Sequence, residues 1–371
     1  MKIVIIGAGV CGLSVGWRLA EAGAEVVVLE RAQPGRGATW AAGGMIAASA
    51  ENADKTTPDA ALASHAALLW PDFARRIEEA SGQTISYRRD GSLLVAADKA
   101  RLDELAAIRT NAMWLLDAAE TRRLEPLLAE SIAGALFAPD DAQVDNRALG
   151  LALAHALVNA GGTLQTNEAV VRFEIANGRI DGVRTPFAVH QADAYVLAAG
   201  AWSGGIEGLP RDAIPPVFPV KGEMIALRPT RGAALPTRLL WGNDVYLIPR
   251  GGRLFVGATA ARAGFDTSLS DAAADWLAER AFALLPDLSR WDFDEQWAGL
   301  RPGSPDDLPI VGESALSGLF IASGQYRNGI LFAPAIADAL VSLILERRSP
   351  PNILAFDPKR FLGLATEGGV R

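Results

Sequence analysis

The sequence is short of the residues from which most hydrolytic and metal sites are built. Its 371 residues include one cysteine, Cys11, and three histidines, His65, His155 and His190. One cysteine allows no internal disulfide and suits a reducing compartment, so a cytoplasmic location is expected. The histidines are scattered, no Cys/His group has metal-ligand spacing, and no metal is expected. A Ser/His or Cys/His nucleophile pair would be poorly supplied. No run reaches the roughly 18 apolar residues of a membrane span. The apolar run from Lys2 to Ile6 is too short for a signal-peptide core. Basic residues are in deficit, 35 Lys and Arg against 43 Asp and Glu, and the net charge of −8 argues against a nucleic-acid partner. Hydrophobic residues are plentiful, at 50% of the chain, and there are 37 glycines. That composition is globular, and the length suits two domains or one large domain with an insertion.

The first glycines fall in MKIVIIGAGVCGLSVGWRLAEAGAEVVVLERA. Lys2 to Ile6 is a β-branched apolar run, the pattern of a strand buried on both faces. From Leu13 to Ala22 the residues favour helix, and Ala24 to Leu29 repeats the buried-strand pattern. Gly7 allows the tight turn, Gly9 lets backbone N–H groups approach a pyrophosphate, and Gly12 lets helix and strand pack closely. Glu30 stands about where an acid accepts hydrogen bonds from a ribose, roughly 20 residues on. The pattern predicts dinucleotide binding. An acid at that place argues against NADP, and the motif alone does not separate NAD from FAD.

Further along, the small-residue segment from Arg31 to Glu51 suits close backbone approach to a ligand. Residues 58–81 read as a helix, Ile85 to Ala96 as two short strands turned at Asp90-Gly91, and Lys99 to Leu127 as mostly helix. Residues 146–160 read as helix, and Asn177-Gly178 marks a hairpin. Residues 217–258 crowd strand-like runs together, and 270–285 read as helix. Near the end a strand leads through a second glycine turn, Gly324 to Gly329, into a helix expected to begin near Pro334. Such a helix end offers N–H groups and positive potential to a reduced flavin, which favours FAD. The expected fold class is α/β, a Rossmann-type FAD-binding domain interleaved with an antiparallel-sheet α+β substrate domain. The expected boundaries are 1–84, 140–212 and 288–371 for the first, and 85–139 and 213–287 for the second.

Several motifs in order carry a family likeness: IGAGVCG with Leu29-Glu30, ATWAAGGM at 38–45, AAGAWS at 198–203 and PVKGE at 219–223. YLIPR at 246–250, VGAT at 256–259, WAGLRPG at 297–303 and YRNGILFAPA at 326–335 continue it. Over essentially its whole length the sequence resembles the D-amino acid oxidase superfamily of FAD enzymes, and within it the bacterial glycine oxidases of thiamine biosynthesis. The resemblance implies that Arg301 binds a substrate carboxylate bidentately, which guanidinium geometry favours. It implies that Tyr246 donates to the same carboxylate and that Arg327 is a second arginine at the pocket. Gly7, Gly9, Gly12, Glu30, Arg31 and Thr39 would hold the ADP part of the cofactor, with Val170 near the adenine. Met45, Gly200 and Trp202 would lie along the flavin side, and Gly329, Ile330 and Leu331 at its pyrimidine edge.

The implied reaction is oxidative deamination of glycine, sarcosine or small D-amino acids by hydride transfer to flavin N5. Dioxygen is the acceptor, and the products are imino or oxo acid, ammonia and H2O2, with iminoglycine supplied to the thiazole of thiamine. The alternative is a D-amino acid or N-methyl amino acid dehydrogenase that passes electrons to a quinone. Cys11 lies in the glycine loop, so FAD is expected to be noncovalent. A homo-oligomer, a tetramer by analogy, is the expected assembly. Two departures from the family pattern bear on substrate preference. Asp244, two residues before Tyr246, is read as solvated, and Arg262 stands where an acid is frequent.

Overall fold

A computed structural model describes residues 1–52 and 56–362. The expected segments 1–84 and 288–371 therefore include residues 53–55 and 363–371, which lie outside the described residues. Two large sheets organise the chain. The first has six strands in the order Ile310–Glu313, Leu319–Ser323, Ala194–Leu197, Lys2–Ile6, Glu25–Glu30 and Thr163–Thr166. Its pairings are parallel except at the Ile310–Glu313 edge. Ile3, Val4, Ile5 and Ile6 are all buried, as a central parallel strand with both faces covered requires. One face packs on the helices Val10–Glu21, Pro58–Ser81, Asn146–Asn159 and Gly329–Leu345, with Trp17 and Trp70 buried among them.

The second sheet has eight strands and is antiparallel except where Leu239–Gly242 runs parallel to Ser92–Ala96. Its long members, Phe218–Arg228 and Asp292–Gly303, pair along their whole length. Asp292–Gly303 falls in a segment expected with the parallel sheet, yet its backbone hydrogen bonds go to Phe218–Arg228. The Asp271–Leu284 helix covers one face of this sheet through Leu277, Ala281 and Leu284.

The Asn177-Gly178 turn forms as expected, with φ of 53° and 73° joining strands Arg172–Ala176 and Arg179–Arg184. Three expectations change. Residues 85–91 contribute only an isolated bridge, Arg88 to Gln143, so the region holds one strand, Ser92–Ala96. Residues 99–127 form two helices, Lys99–Ala107 and Ala118–Leu124, around the strand Trp114–Asp117, which finds its partner in Gly134–Ala138. The last long helix begins at Gly329 and carries Pro334 inside, because the Phe332 N–H already closes a turn on the Asn328 carbonyl at 2.8 Å. No helix among the described residues is long and apolar enough to cross a membrane.

A buried acid holds the short Ala48–Asn52 helix on this frame. Asp141, 1% exposed, accepts from the Ser49 and Ala50 N–H groups at 2.9 and 3.1 Å. Burial outweighs these hydrogen bonds and pushes its carboxyl up to about 6 from 3.8. Between those values the folded state keeps a proton that the unfolded chain has released. The contribution is thus fully present below pH 3.8 and lost as pH rises through 6, about 3 kcal/mol in all. Asp141→Asn is expected to remove that slope. Urea unfolding of both proteins from pH 4 to 7 checks it, and a wild-type-minus-variant difference that stays flat with pH contradicts it.

Candidate active site

The glycine turn after Lys2–Ile6 opens into a cavity of about 640 Å³ that runs from Glu30 to Arg301. Gly7 has φ +104°, and a Cβ there would stand 2.6 Å from the Ala198 carbonyl oxygen. A Cβ on Gly12 would stand 2.0 Å from the Gly7 oxygen, so Gly12 serves packing and does not line the cavity. Gly9 lines it, and a Cβ there would meet only Thr39 Oγ1, at 3.6 Å. The Val10 N–H donates to that oxygen at 2.9 Å, so Thr39 takes the first amide of the Val10–Glu21 helix, whose N-cap Gly9 has no side chain to take the next ones. The remaining N–H groups of this first turn are left for a ligand in the cavity that Gly9, Val10 and Cys11 line. Glu30 is oriented by the loop it follows, accepting from the Ala8 N–H at 2.8 Å and the Ala32 N–H at 3.0 Å.

The middle wall is the small-residue segment 37–45, which a buried arginine ties in place. Arg250 donates through Nη1 to the Gly43 and Val144 carbonyls at 2.9 and 2.6 Å, and through Nη2 to Asn146 Oδ1 at 2.7 Å. Asn146 passes the tie on, its Nδ2 donating to the Thr39 and Trp40 carbonyls at 2.7 and 2.9 Å. Gly44, with φ +77°, leaves room for this, since its Cβ would stand 2.5 Å from Arg250 Nη1. Burial lowers the Arg250 guanidinium to about 10, so it remains charged at neutral pH.

At the far end, strands of the second sheet bring in Tyr246 and Arg301. Arg301 donates from Nη1 to the Thr259 carbonyl at 3.0 Å, and its guanidinium occupies space that a Cβ on Gly222 would fill. Its neighbours Lys221 and Arg327 pair with Glu223 and Glu51, whereas no described carboxylate pairs with Arg301. Tyr246 is 8% exposed, and its described hydroxyl partner is the weak acceptor Met224 Sδ at 3.9 Å. Arg327 is about half exposed at the cavity, 4.0 Å from Glu51.

Of the other expected residues, Glu30, Arg31, Thr39, Met45, Val170, Gly200, Trp202, Gly329 and Ile330 all line the cavity. Leu331 does not: its side chain is buried in the core, and its carbonyl accepts from Trp70 Nε1 at 2.9 Å. Trp202, expected beside a flavin, has the Arg31 guanidinium 3.5 Å above its ring, which ties it to the Glu30 end. Its ring also stacks on Phe265, 5.4 Å between centroids. Asp244 is exposed in the Asn243-Asp244 hairpin turn, away from the cavity. Arg262 is exposed too, over the Phe218 ring. The Cys11 thiol, pushed up to about 12 by burial, is no nucleophile.

Sequence reasoning missed Arg250 and Asn146 as supports, Phe265 as a wall residue, and Gln325. Gln325 is 4% exposed, lines the cavity, and carries an Nε2 without a partner. Only the proline-arginine pair closing YLIPR hinted at Arg250. A large acceptor-rich cofactor fits this wall: Gly9 is bare, and the N-caps of two helices that start at the cavity, Gly9 and Asn328, make no side-chain cap bond.

Asn146→Ala is expected to lower the unfolding free energy by about 1–3 kcal/mol, because it strands buried carbonyls and the Arg250 head. Urea unfolding measures that loss. Hydrogen exchange should show faster amide exchange at 39–45, and unchanged exchange there contradicts the tie.

Comparison with known proteins gives the family. A family model described as DAO, FAD dependent oxidoreductase, matches residues 2–343. A bifunctional protein ThiO/ThiG of a Synechocystis species is 36% identical over 368 residues, which cover 97% of this chain and 54% of that protein. The chain spans about half the length of such bifunctional relatives. A glycine oxidase of Geobacillus kaustophilus is 33% identical over 376 residues, 97% of each chain. The crystal structure of glycine oxidase from Geobacillus kaustophilus superposes with a TM-score of 0.89 over 96% of this chain and 98% of that one, at 31% identity. The chain belongs to the DAO family of FAD dependent oxidoreductases.

Proposed function

We propose that this chain oxidises glycine and related small amino acids, among them sarcosine and small D-amino acids, with dioxygen as the electron acceptor. One observation carries the reading. Arg301 and Tyr246 stand at one end of a single cavity whose other end is the glycine turn with Glu30. The glycine oxidase relatives give the substrate class. Bound FAD would supply the two-electron acceptor for the Cα hydrogen, taken as a hydride, and the route by which those electrons reach dioxygen.

The chain's own residues bind and orient. Gly7, Gly9, Glu30, Arg31 and Thr39 would hold the ADP part, with Val170 beside the adenine. Met45, Gly200, Gly329 and Ile330 would hold the flavin. Arg301 has donors left after its bond to Thr259 and takes the carboxylate, with the Tyr246 hydroxyl as the second donor. Anchoring the carboxylate at two points fixes the direction of the Cα–H bond, which is the main rate advantage available. Tyr246 and Met224 form an apolar wall that excludes water. No side chain need abstract a proton if the amine binds neutral. Water hydrolyses the released imine to oxo acid and ammonia, or the imine passes to thiazole synthesis for thiamine.

In this reading residues 1–84, 140–212 and 304–362 hold the cofactor, while 85–139 and 213–303 hold the substrate. The enzyme acts in the cytoplasm as a homo-oligomer.

Anaerobic titration of the reconstituted protein with glycine, sarcosine, D-alanine and D-proline tests the reaction. Bleaching of the flavin, with H2O2 formed under air, is expected, and no bleaching by any of the four refutes the reading. Arg301→Ala is expected to lower kcat/KM for glycine about 100-fold and Tyr246→Phe about 10-fold, from loss of one charged and one neutral hydrogen bond. FAD content should be unchanged in both. Steady-state kinetics with flavin absorbance checks this, and an Arg301→Ala enzyme with wild-type kcat/KM contradicts it.

A further inference from the structure

After the strand Arg253–Gly257 the chain leaves the antiparallel sheet in a loop on which every residue from 260 to 269 is exposed. Apolar burial does not hold such a loop, and polar ties at its ends do. Ala261 exchanges both backbone hydrogen bonds with Lys221, each at 2.9 Å. The Lys221 ammonium, 7% exposed, donates to the Ser268 carbonyl and pairs with Glu223 at 3.4 Å and Asp266 at 3.6 Å. Glu223 Oε2 accepts from the Ser270 N–H at 3.0 Å and closes the loop.

Between these ties Phe265 reaches across to the parallel-sheet side. It is 52% exposed and lines the cavity, and its ring stacks on Trp202 with 5.4 Å between centroids and 29° between planes. The Arg31 guanidinium lies 3.5 Å from the centre of the same Trp202 ring. Arg31 follows Glu30, so this stack stands at the nucleotide end of the cavity. The loop itself begins beside Thr259, whose carbonyl holds Arg301 at 3.0 Å at the substrate end. A ligand that fills the cavity from Glu30 to Arg301 therefore lies along the loop for its whole length. Parting the loop from the cavity breaks one aromatic contact and leaves the sheet beneath intact, so opening it takes far less than unfolding.

We propose that Phe265, latched on Trp202, retains FAD: the two rings part before the cofactor exchanges, and their contact sets the rate of release. The proposal rests on the FAD dependence of the family and not on which amino acid is oxidised. The competing role for the same loop is a gate for the substrate, since its first tie lies beside Arg301.

The test uses reconstituted wild-type, Phe265→Ala, Phe265→Leu and Phe265→Tyr holoenzymes with no amino acid present. Flavin fluorescence after dilution follows FAD release, and stopped-flow difference spectra follow the binding of acetate as a carboxylate probe. Phe265→Ala should release FAD about tenfold faster than wild type, the order expected for one aromatic contact with a cation on the partner ring. Phe265→Leu keeps an apolar side chain without the ring; it should also release FAD faster, and it carries the test if the alanine variant loses FAD during preparation. Phe265→Tyr keeps the ring and should stay within about twofold of wild type. FAD release within about twofold of wild type in both ring-less variants overturns the proposal. So does release from Phe265→Tyr as fast as from Phe265→Ala, because the ring is then not the latch. Acetate binding made about tenfold faster with FAD release unmoved overturns it as well, because the loop then gates the substrate. Wild-type flavin that glycine does not bleach would strike the proposed reaction and leave these release rates interpretable.

Discussion

A guanidinium with no carboxylate in contact among the described residues sits where the two sheets meet, and the cavity wall depends on it. Arg250 closes a strand of the antiparallel sheet, yet its hydrogen bonds go to Gly43 and Val144 on the cofactor side and to Asn146 at the start of a helix. Carbonyl and amide oxygens satisfy its donors, so the charge remains uncancelled by direct pairing, at a desolvation cost visible in its lowered titration. The gain is geometric. A small-residue segment that could not hold a shape by its own packing is fixed from outside at Thr39, Trp40 and Gly43.

The same division of labour recurs around the cavity. Glycines remove side chains where backbone must approach, as at Gly7 against Ala198 and Gly44 against Arg250. Two helix starts at the cavity, whose N-caps Gly9 and Asn328 make no side-chain bond, offer backbone donors. The antiparallel sheet supplies Arg301 and Tyr246, a guanidinium and a phenol carried on paired strands whose register sets their spacing. Neither half has a complete site. The cavity lies where strand ends of one sheet face side chains of the other.

Local features were readable from residues alone. The Gly7 to Glu30 unit, the Asn177-Gly178 hairpin and the 58–81 and 146–159 helices each follow from short-range pattern and turn chemistry. Errors came where partners at long range decide. Trp114–Asp117 is a strand because Gly134–Ala138 lies beside it, and residues 85–89 form none because only one bridge, at Arg88, reaches them. Asp244, read as solvated, is exposed in its hairpin turn as expected.

The sequence by itself determined the periodic elements, the glycine turn with its acid, and the residue types able to bind a carboxylate, since all of these act over a few neighbours. Tertiary structure alone decided that Arg250, 207 residues from Gly43, would hold its carbonyl, that Phe265 would stack on Trp202, and that Gln325 would be sealed beside a helix start. Hydrogen bonds between distant segments leave no periodicity in the chain. Burial, which gives such bonds their strength, exists only once the two sheets have closed on each other.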